Sequence, residues 1–176
     1  MEKDCNKIGK NTSPTSDQMV LRDHIKPGDL GWLSYLHGTF YAKEYGCNQT
    51  FEAYVAKGLA EFVEMFNPET DRLWLAEQGA QTVGSIAIVG QLKQTAQLRW
   101  YFVHPDYRGR GIGRQLLLEA LRFCKEKKFR EVSLWTTSEL LVARHLYTNA
   151  GFRKTEEIAY TIWGKAVVEE RYELRL

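Results

Sequence analysis

Cysteine is scarce and unpatterned, with Cys5, Cys47 and Cys124 the only three in 176 residues. Their spacing matches neither metal-ligand pairs nor a disulfide framework, so the expectation is reduced thiols in a cytoplasm and no metal site. Net charge is nearly absent: 24 Lys and Arg against 22 Asp and Glu leave +2 at pH 7. That balance argues for neither nucleic acid nor an anionic membrane as partner. No apolar run reaches the roughly 18 residues that a membrane span needs. The first 17 residues are polar and lack the apolar core of a signal peptide. Proline is also rare, with four in the chain, and three of them (Pro27, Pro68 and Pro105) sit at element boundaries.

What is present fits one globular domain. Hydrophobic residues make up 44% and charged residues 26%, enough to build a core. Residues 1–18 have almost nothing to bury and read as a disordered tail. The domain is expected over 19–176.

The most informative stretch runs from Leu98 to Phe123. An apolar strand over 98–103 is followed by His104-Pro105-Asp106-Tyr107 and then by Arg108-Gly109-Arg110-Gly111-Ile112-Gly113-Arg114. These last residues open a helix carrying Leu116, Leu117, Ala120, Leu121 and Phe123. Strand, glycine loop and helix together make an anion site. The N–H groups of a helix's first turn are free, and the peptide dipoles favour negative charge there. Glycine lets a phosphate approach the backbone, and three arginines add positive charge. Two familiar glycine fingerprints are excluded. Gly-Lys-Ser/Thr is missing, and the alternate spacing of Gly109, Gly111 and Gly113 does not give Gly-x-Gly-x-x-Gly.

The rest of the chain alternates between two periods. A short strand over 19–22 precedes a helix over 28–45, with Leu30, Leu33, Leu36 and Phe40 at helical spacing. A second helix covers 50–66, and Asn67-Pro68 stops it. Period two then predicts strands over 73–77 and 82–89, with Val83, Ser85, Ala87 and Val89 on one face. After the glycine-loop helix, a buried strand is expected over 131–136. Thr137-Ser138 then cap a helix over 139–149 that ends at Gly151. Residues 153–162 and 169–176 form a final hairpin or ribbon joined through Trp163-Gly164.

Arg108-x-x-Gly111-x-Gly113 after Val-x-Pro resembles the acyl-coenzyme A loop of the GNAT N-acetyltransferase superfamily. Leu146-Tyr147-x-x-x-Gly151-Phe152 is similar to its second signature. An Asn often found early in that second helix is replaced by Leu140. The resemblance implies an α/β (α+β) GNAT fold, a mixed twisted sheet of six to seven strands with helices on both faces. More narrowly, His37-Gly38-x-x-Tyr41-Ala42-x-Glu44-Tyr45-Gly46, Leu134-Trp135-Thr136 and Trp163-Gly164 look like the acetyltransferase module that bacteria fuse behind MarR-type regulators. Residues 1–18 are too short for such a regulator, so the module is expected to stand alone or to be a piece of a longer protein.

The resemblance also assigns roles. Acetyl-CoA is the implied donor. Gly109, Arg110, Gly111, Ile112, Gly113, Arg108 and Arg114 would hold its diphosphate, and the backbone of Phe102 and Val103 its pantetheine arm, in a slot between parted strands. Tyr147 would protonate the leaving thiolate; the alternative is a tyrosine packed on the sheet. Base-using relatives carry a Glu on the strand before the loop, where Gln97 stands here. His37, Glu44, Glu77 or a water chain remain as bases. Tyr35, Tyr41, Tyr45, Trp100 and Trp135 are acceptor-site walls or core. The implied partner is a small primary amine, with a protein lysine or N-terminus and a non-catalytic acyl-CoA sensor as alternatives. A homodimer is a further expectation.

Overall fold

The computed structural model describes residues 19–176; the tail expected over 1–18 lies outside the described residues. In chain order the elements are β1 (Met19–Arg22), α1 (Asp29–Tyr45), α2 (Gln49–Glu64), β2 (Arg72–Gln78), β3 (Gln81–Gln91), β4 (Thr95–Val103), α3 (Ile112–Glu126), β5 (Glu131–Thr137), α4 (Leu141–Asn149), β6 (Arg153–Ile162) and β7 (Lys165–Arg175). One seven-stranded sheet runs β1-β2-β3-β4-β5-β7-β6, with every pairing antiparallel except β4–β5.

Local chemistry explains the helix ends. Gly28 and Gly46 flank α1 at φ 98° and 71°, conformations that glycine adopts without strain. Asn48 caps α2, its side chain accepting from the Thr50 N–H at 3.0 Å. Helix α4 departs from expectation. It begins at Leu141 rather than 139, and no side chain caps it. The Ser138 carbonyl accepts from Arg144 Nη1 at 3.0 Å instead, and Arg144 is anchored on buried Glu170 at 2.8 Å.

Each face of the sheet carries its own core. Helices α3 and α4 cover one face, where Leu116, Ala120 and Cys124 meet Ile86, Val132 and Leu134. Helices α1 and α2 cover the other, where Leu33, Val55 and Leu59 meet Leu73, Leu75, Ala87 and Trp100. The expected single face of β3 is corrected here. The β2–β3 register shifts at Ala76/Glu77, and Val83 falls on the α3 side with Ile86 and Ile88, opposite Ala87. The unpaired residue reverses the alternation.

A second bulge shapes the centre. Ala87 pairs with Arg99 but Ser85 pairs with Phe102, so one extra residue lies on β4. Trp100 sits there at φ 46°, its carbonyl accepting from Ser85 Oγ at 2.6 Å. The kink puts both Arg99 and Trp100 beside Gly58 of α2 and leaves Tyr101 and Val103 toward α3. Strands β4 and β5 pair only from Thr95–Glu131 to Gln97–Ser133. Beyond Gln97 no ladder joins them, and a cleft opens between them.

Candidate active site

The cleft has a volume of about 690 Å³ and runs from the start of α3, between β4 and β5, to the space under α1 and α2. At its α3 end, Gly109 (φ 75°) and Gly111 (φ 81°) are left-handed, and a Cβ on either would meet nothing within 4 Å. Gln115 N–H makes the bond to Gly111 O at 3.0 Å. The N–H groups of Ile112, Gly113 and Arg114 therefore leave the helix end without intrahelical partners. Gly113 serves a different need. A Cβ there would lie 2.1 Å from the Tyr101 hydroxyl, so glycine lets α3 approach β4.

The three arginines divide. Arg114 lines the cleft. Arg108 also lines it but is already engaged, with Nε on the Val103 carbonyl at 3.1 Å and Nη1 on Glu44 at 3.1 Å. Arg110 donates to the Asp106 carbonyl at 3.0 Å and lies 5.1 Å from the Tyr107 ring centroid. It is not among the residues lining the cleft.

Midway along the cleft, Tyr147 is 4% exposed. Burial pushes its phenol well above 10, and Tyr101 and Tyr41 add to the shift. Tyr101 stands 5.7 Å away, centroid to centroid, its own phenol raised to about 12 by burial. Phe102 faces α1, with its ring 5.2 Å from that of His37. His37 Nδ1 is 2.9 Å from the Leu33 carbonyl and must carry the proton. Its Nε2 is buried with no partner, as is Thr136 Oγ1 across the gap on β5.

A family model described as acetyltransferase (GNAT) family matches residues 36–152, more than half of the chain. The chain belongs to this family. Among curated relatives, N-acetyltransferase family 8 member 3 of Rattus norvegicus is 40% identical over 94 residues, which are 50% of this chain and 41% of that protein. N-acetyltransferase 8B of Homo sapiens is 30% identical over 99 residues, 53% and 44% of the two chains. The chain thus spans about half the length of the curated relatives it matches. A GNAT acetyltransferase structure from Staphylococcus aureus Mu50 superposes with TM-score 0.74 at 18% identity, over 90% of this chain and 99% of that one. An acetyltransferase of Salmonella typhimurium, solved with its cofactor acetyl-CoA, gives 0.70 at 15%, over 91% and 95%. These two likenesses concern the fold.

Within this GNAT fold the base candidates separate. Only His37 lines the cleft. Glu44 is paired with Arg108, and Glu77 is held by Arg22 Nε at 2.7 Å on the far strand β2. Of the aromatic walls, Tyr41, Tyr45, Trp100 and Trp135 line the cleft. Tyr35 is half-exposed, stacks on Trp32 and borders a separate cavity of about 280 Å³. Sequence reasoning missed Tyr101, Thr136 and the Trp163 turn as parts of the site. Trp163 and Gly164 form the tight β6–β7 hairpin at φ 57° and 79°. The Asn48 N–H donates to the Trp163 carbonyl at 2.9 Å, and Lys165 Nζ reaches both the Tyr45 carbonyl at 2.6 Å and Glu139 at 2.7 Å. The hairpin tip is thereby tied to α1 and the start of α2, and Trp163 lines that end of the cleft. Among the described residues there is no metal-binding cluster, and no helix is long and apolar enough to cross a membrane.

Burial drops the His37 pKa to about 4, despite the Leu33 carbonyl, which raises it. The unfolded chain therefore binds a proton at His37 that the folded chain refuses. Stability is full above about pH 6.5 and falls as pH drops toward 4. About 2 kcal/mol should be lost between pH 7 and 5 through this residue. Urea midpoints at the two pH values check it: His37→Phe is expected to flatten the dependence, and an unchanged slope would put the titration elsewhere.

Proposed function

We propose that this chain transfers the acetyl group of acetyl-CoA to the primary amine of a small molecule by direct attack. The observation that carries the reading is a single cleft joining the open amide end of α3, the buried Tyr147 and a chamber walled by aromatic rings. The chain's features fit the donor. The unfilled space at Gly109 and Gly111 is a cradle for a diphosphate, and Arg114 adds charge beside it. Phe102 and Val103 edge the parted strands, where a pantetheine amide finds unpaired backbone. When bound, acetyl-CoA supplies an activated thioester.

The residues then do the following work. The amides of Ile112, Gly113 and Arg114 bind the diphosphate, while Arg108 ties the end of β4 to α1 through Val103 and Glu44. Tyr147 gives its Oη proton to the departing sulfur and regains one, through water, from the amine nitrogen as the amide forms. His37 Nε2 accepts a hydrogen bond from the neutral amine. With a pKa near 4, His37 orients that amine rather than storing a proton at pH 7. Tyr41, Phe51, Tyr54 and Trp163 bound that end of the cleft, which favours a small acceptor over a lysine on a folded protein. The sequence patterns around His37 and Trp163 support kinship with modules carried behind MarR-type regulators.

Titration calorimetry with acetyl-CoA tests the reading. A Kd of about 10 μM or tighter is expected, about −7 kcal/mol, and the absence of saturable heat removes it. Thiol release with amines separates an enzyme from a module that only senses acyl-CoA.

A further inference from the structure

The acceptor end of the cleft is walled by rings. Tyr41 and Phe51 stack with centroids 4.4 Å apart. Trp163 stands edge-on to Phe51 at 4.9 Å and tilts against Tyr54 at 5.5 Å. All four line the cleft.

The carboxylates near this wall differ in their partners. Glu139, on the rim, is held by Lys165 Nζ at 2.7 Å. Glu169 accepts from the Tyr160 hydroxyl. Glu44 is paired with Arg108 at 3.1 Å. Glu139 and Glu44 are neutralised by cations, whereas Glu169, beside a neutral hydroxyl, keeps its charge and is left as counter-charge for a second ammonium. An ammonium away from it would be unpaired and disfavoured. His37 offers no counter-charge, because it stays neutral.

Two of the cleft-lining residues carry a buried polar atom without a partner, His37 Nε2 and Thr136 Oγ1. Nδ1–H of His37 is given to the Leu33 carbonyl, so Nε2 presents a lone pair. That suits one N–H donor. Stacked and edge-on rings suit a flat apolar body, which gains both area burial and ring–ring geometry.

Building on the acetyl-transfer reading, we infer that the acceptor is a monoamine on an aromatic body, an arylalkylamine, with its rings among Tyr41, Phe51, Tyr54 and Trp163 and its amine N–H on His37 Nε2. Polyamines and peptide lysines bring no aromatic body to this wall and are the poorer acceptors. Ring faces also attract cations, which makes spermidine the arm most able to reverse the assignment.

The test is thiol release from acetyl-CoA by the full chain, with 2-phenylethylamine, tryptamine, spermidine and a lysine-containing peptide as acceptors, beside calorimetry with acetyl-CoA alone. The two arylalkylamines are expected to exceed spermidine and the peptide by about 30-fold or more in kcat/KM, the worth of one buried ring. Trp163→Ala should raise KM for 2-phenylethylamine about 10-fold with KM for acetyl-CoA unchanged. Faster turnover of spermidine or of the peptide overturns the arylalkylamine assignment and leaves acetyl transfer standing. Silence of every amine while acetyl-CoA binds overturns both. An unchanged amine KM in a folded Trp163→Ala removes the ring wall from recognition, and the wild-type panel decides the acceptor class even if that variant does not fold.

Discussion

Tyr147→Phe is expected to turn over about 10²-fold more slowly than the wild type, the usual worth of one positioned proton donor, with acetyl-CoA affinity unchanged. The ring keeps its neighbours in this variant, because Tyr101, Phe152 and Tyr172 contact the ring at centroid distances of 5.7, 5.9 and 6.5 Å. Only the O–H is lost. A fall in kcat without a change in acetyl-CoA binding marks an interaction made in the transition state. Burial holds the phenol well above 10 and His37 near 4. Neither group then titrates between pH 6 and 9. Wild-type kcat/KM should rise about tenfold per pH unit up to the pKa of the acceptor amine itself, with no fall near pH 9. Steady-state thiol release across that range, paired with calorimetry, checks both statements. Unchanged turnover in Tyr147→Phe takes the residue out of the chemistry, and a limb near pH 7 assigns the proton to another group.

The parts of the fold that could be read from the chain are those written in local pattern. The apolar faces of α2 and α3 recur at helical spacing, and α3 starts where three glycines and a preceding strand place it. What escaped depends on partners distant in sequence. Nothing around Trp100 announces a φ of 46°, since the kink is stabilised by Ser85 on the neighbouring strand. That kink decides which of Tyr101 and Phe102 meets Tyr147 and which meets His37. Glu77 is a base candidate by sequence, yet Arg22, 55 residues away, holds it. Arg108 and Glu44 were read as separate functional residues, yet they form one ion pair across 64 residues. Strand β7 starts at Lys165, four residues before expectation, because Trp163 and Gly164 both adopt the positive φ of a tight hairpin turn. Trp163-Gly164 is legible as the joint of this hairpin, but a tryptophan at such a position is an exception to turn preference, and nothing local signals that its ring lines the cleft.

The glycines of the loop give the other large effect, and they should fail in different ways. At Gly111, φ is 81° and a new Cβ meets no neighbour within 4 Å. Gly111→Val should therefore fold, at a strain of about 1–3 kcal/mol for a β-branched residue in the left-handed region. Its methyls would occupy the open space beside the amides of Ile112, Gly113 and Arg114. Loss of about two charge-assisted hydrogen bonds corresponds to roughly 3 kcal/mol, or about 10²-fold weaker acetyl-CoA binding. Gly113→Ala acts on the opposite side of the helix start. Its Cβ would sit 2.1 Å from Tyr101 Oη and 3.4 Å from Val103 Cγ2, so the Tyr101 ring must move. That ring borders Tyr147. The variant should lose about 1–3 kcal/mol of stability to overpacking and lose kcat more than acetyl-CoA affinity. Thermal unfolding, calorimetry and thiol release on the pair separate the two roles. If Gly113→Ala instead weakened acetyl-CoA as much as Gly111→Val at undiminished kcat, the phosphate cradle would extend to Gly113, and Tyr101 would not be what positions Tyr147.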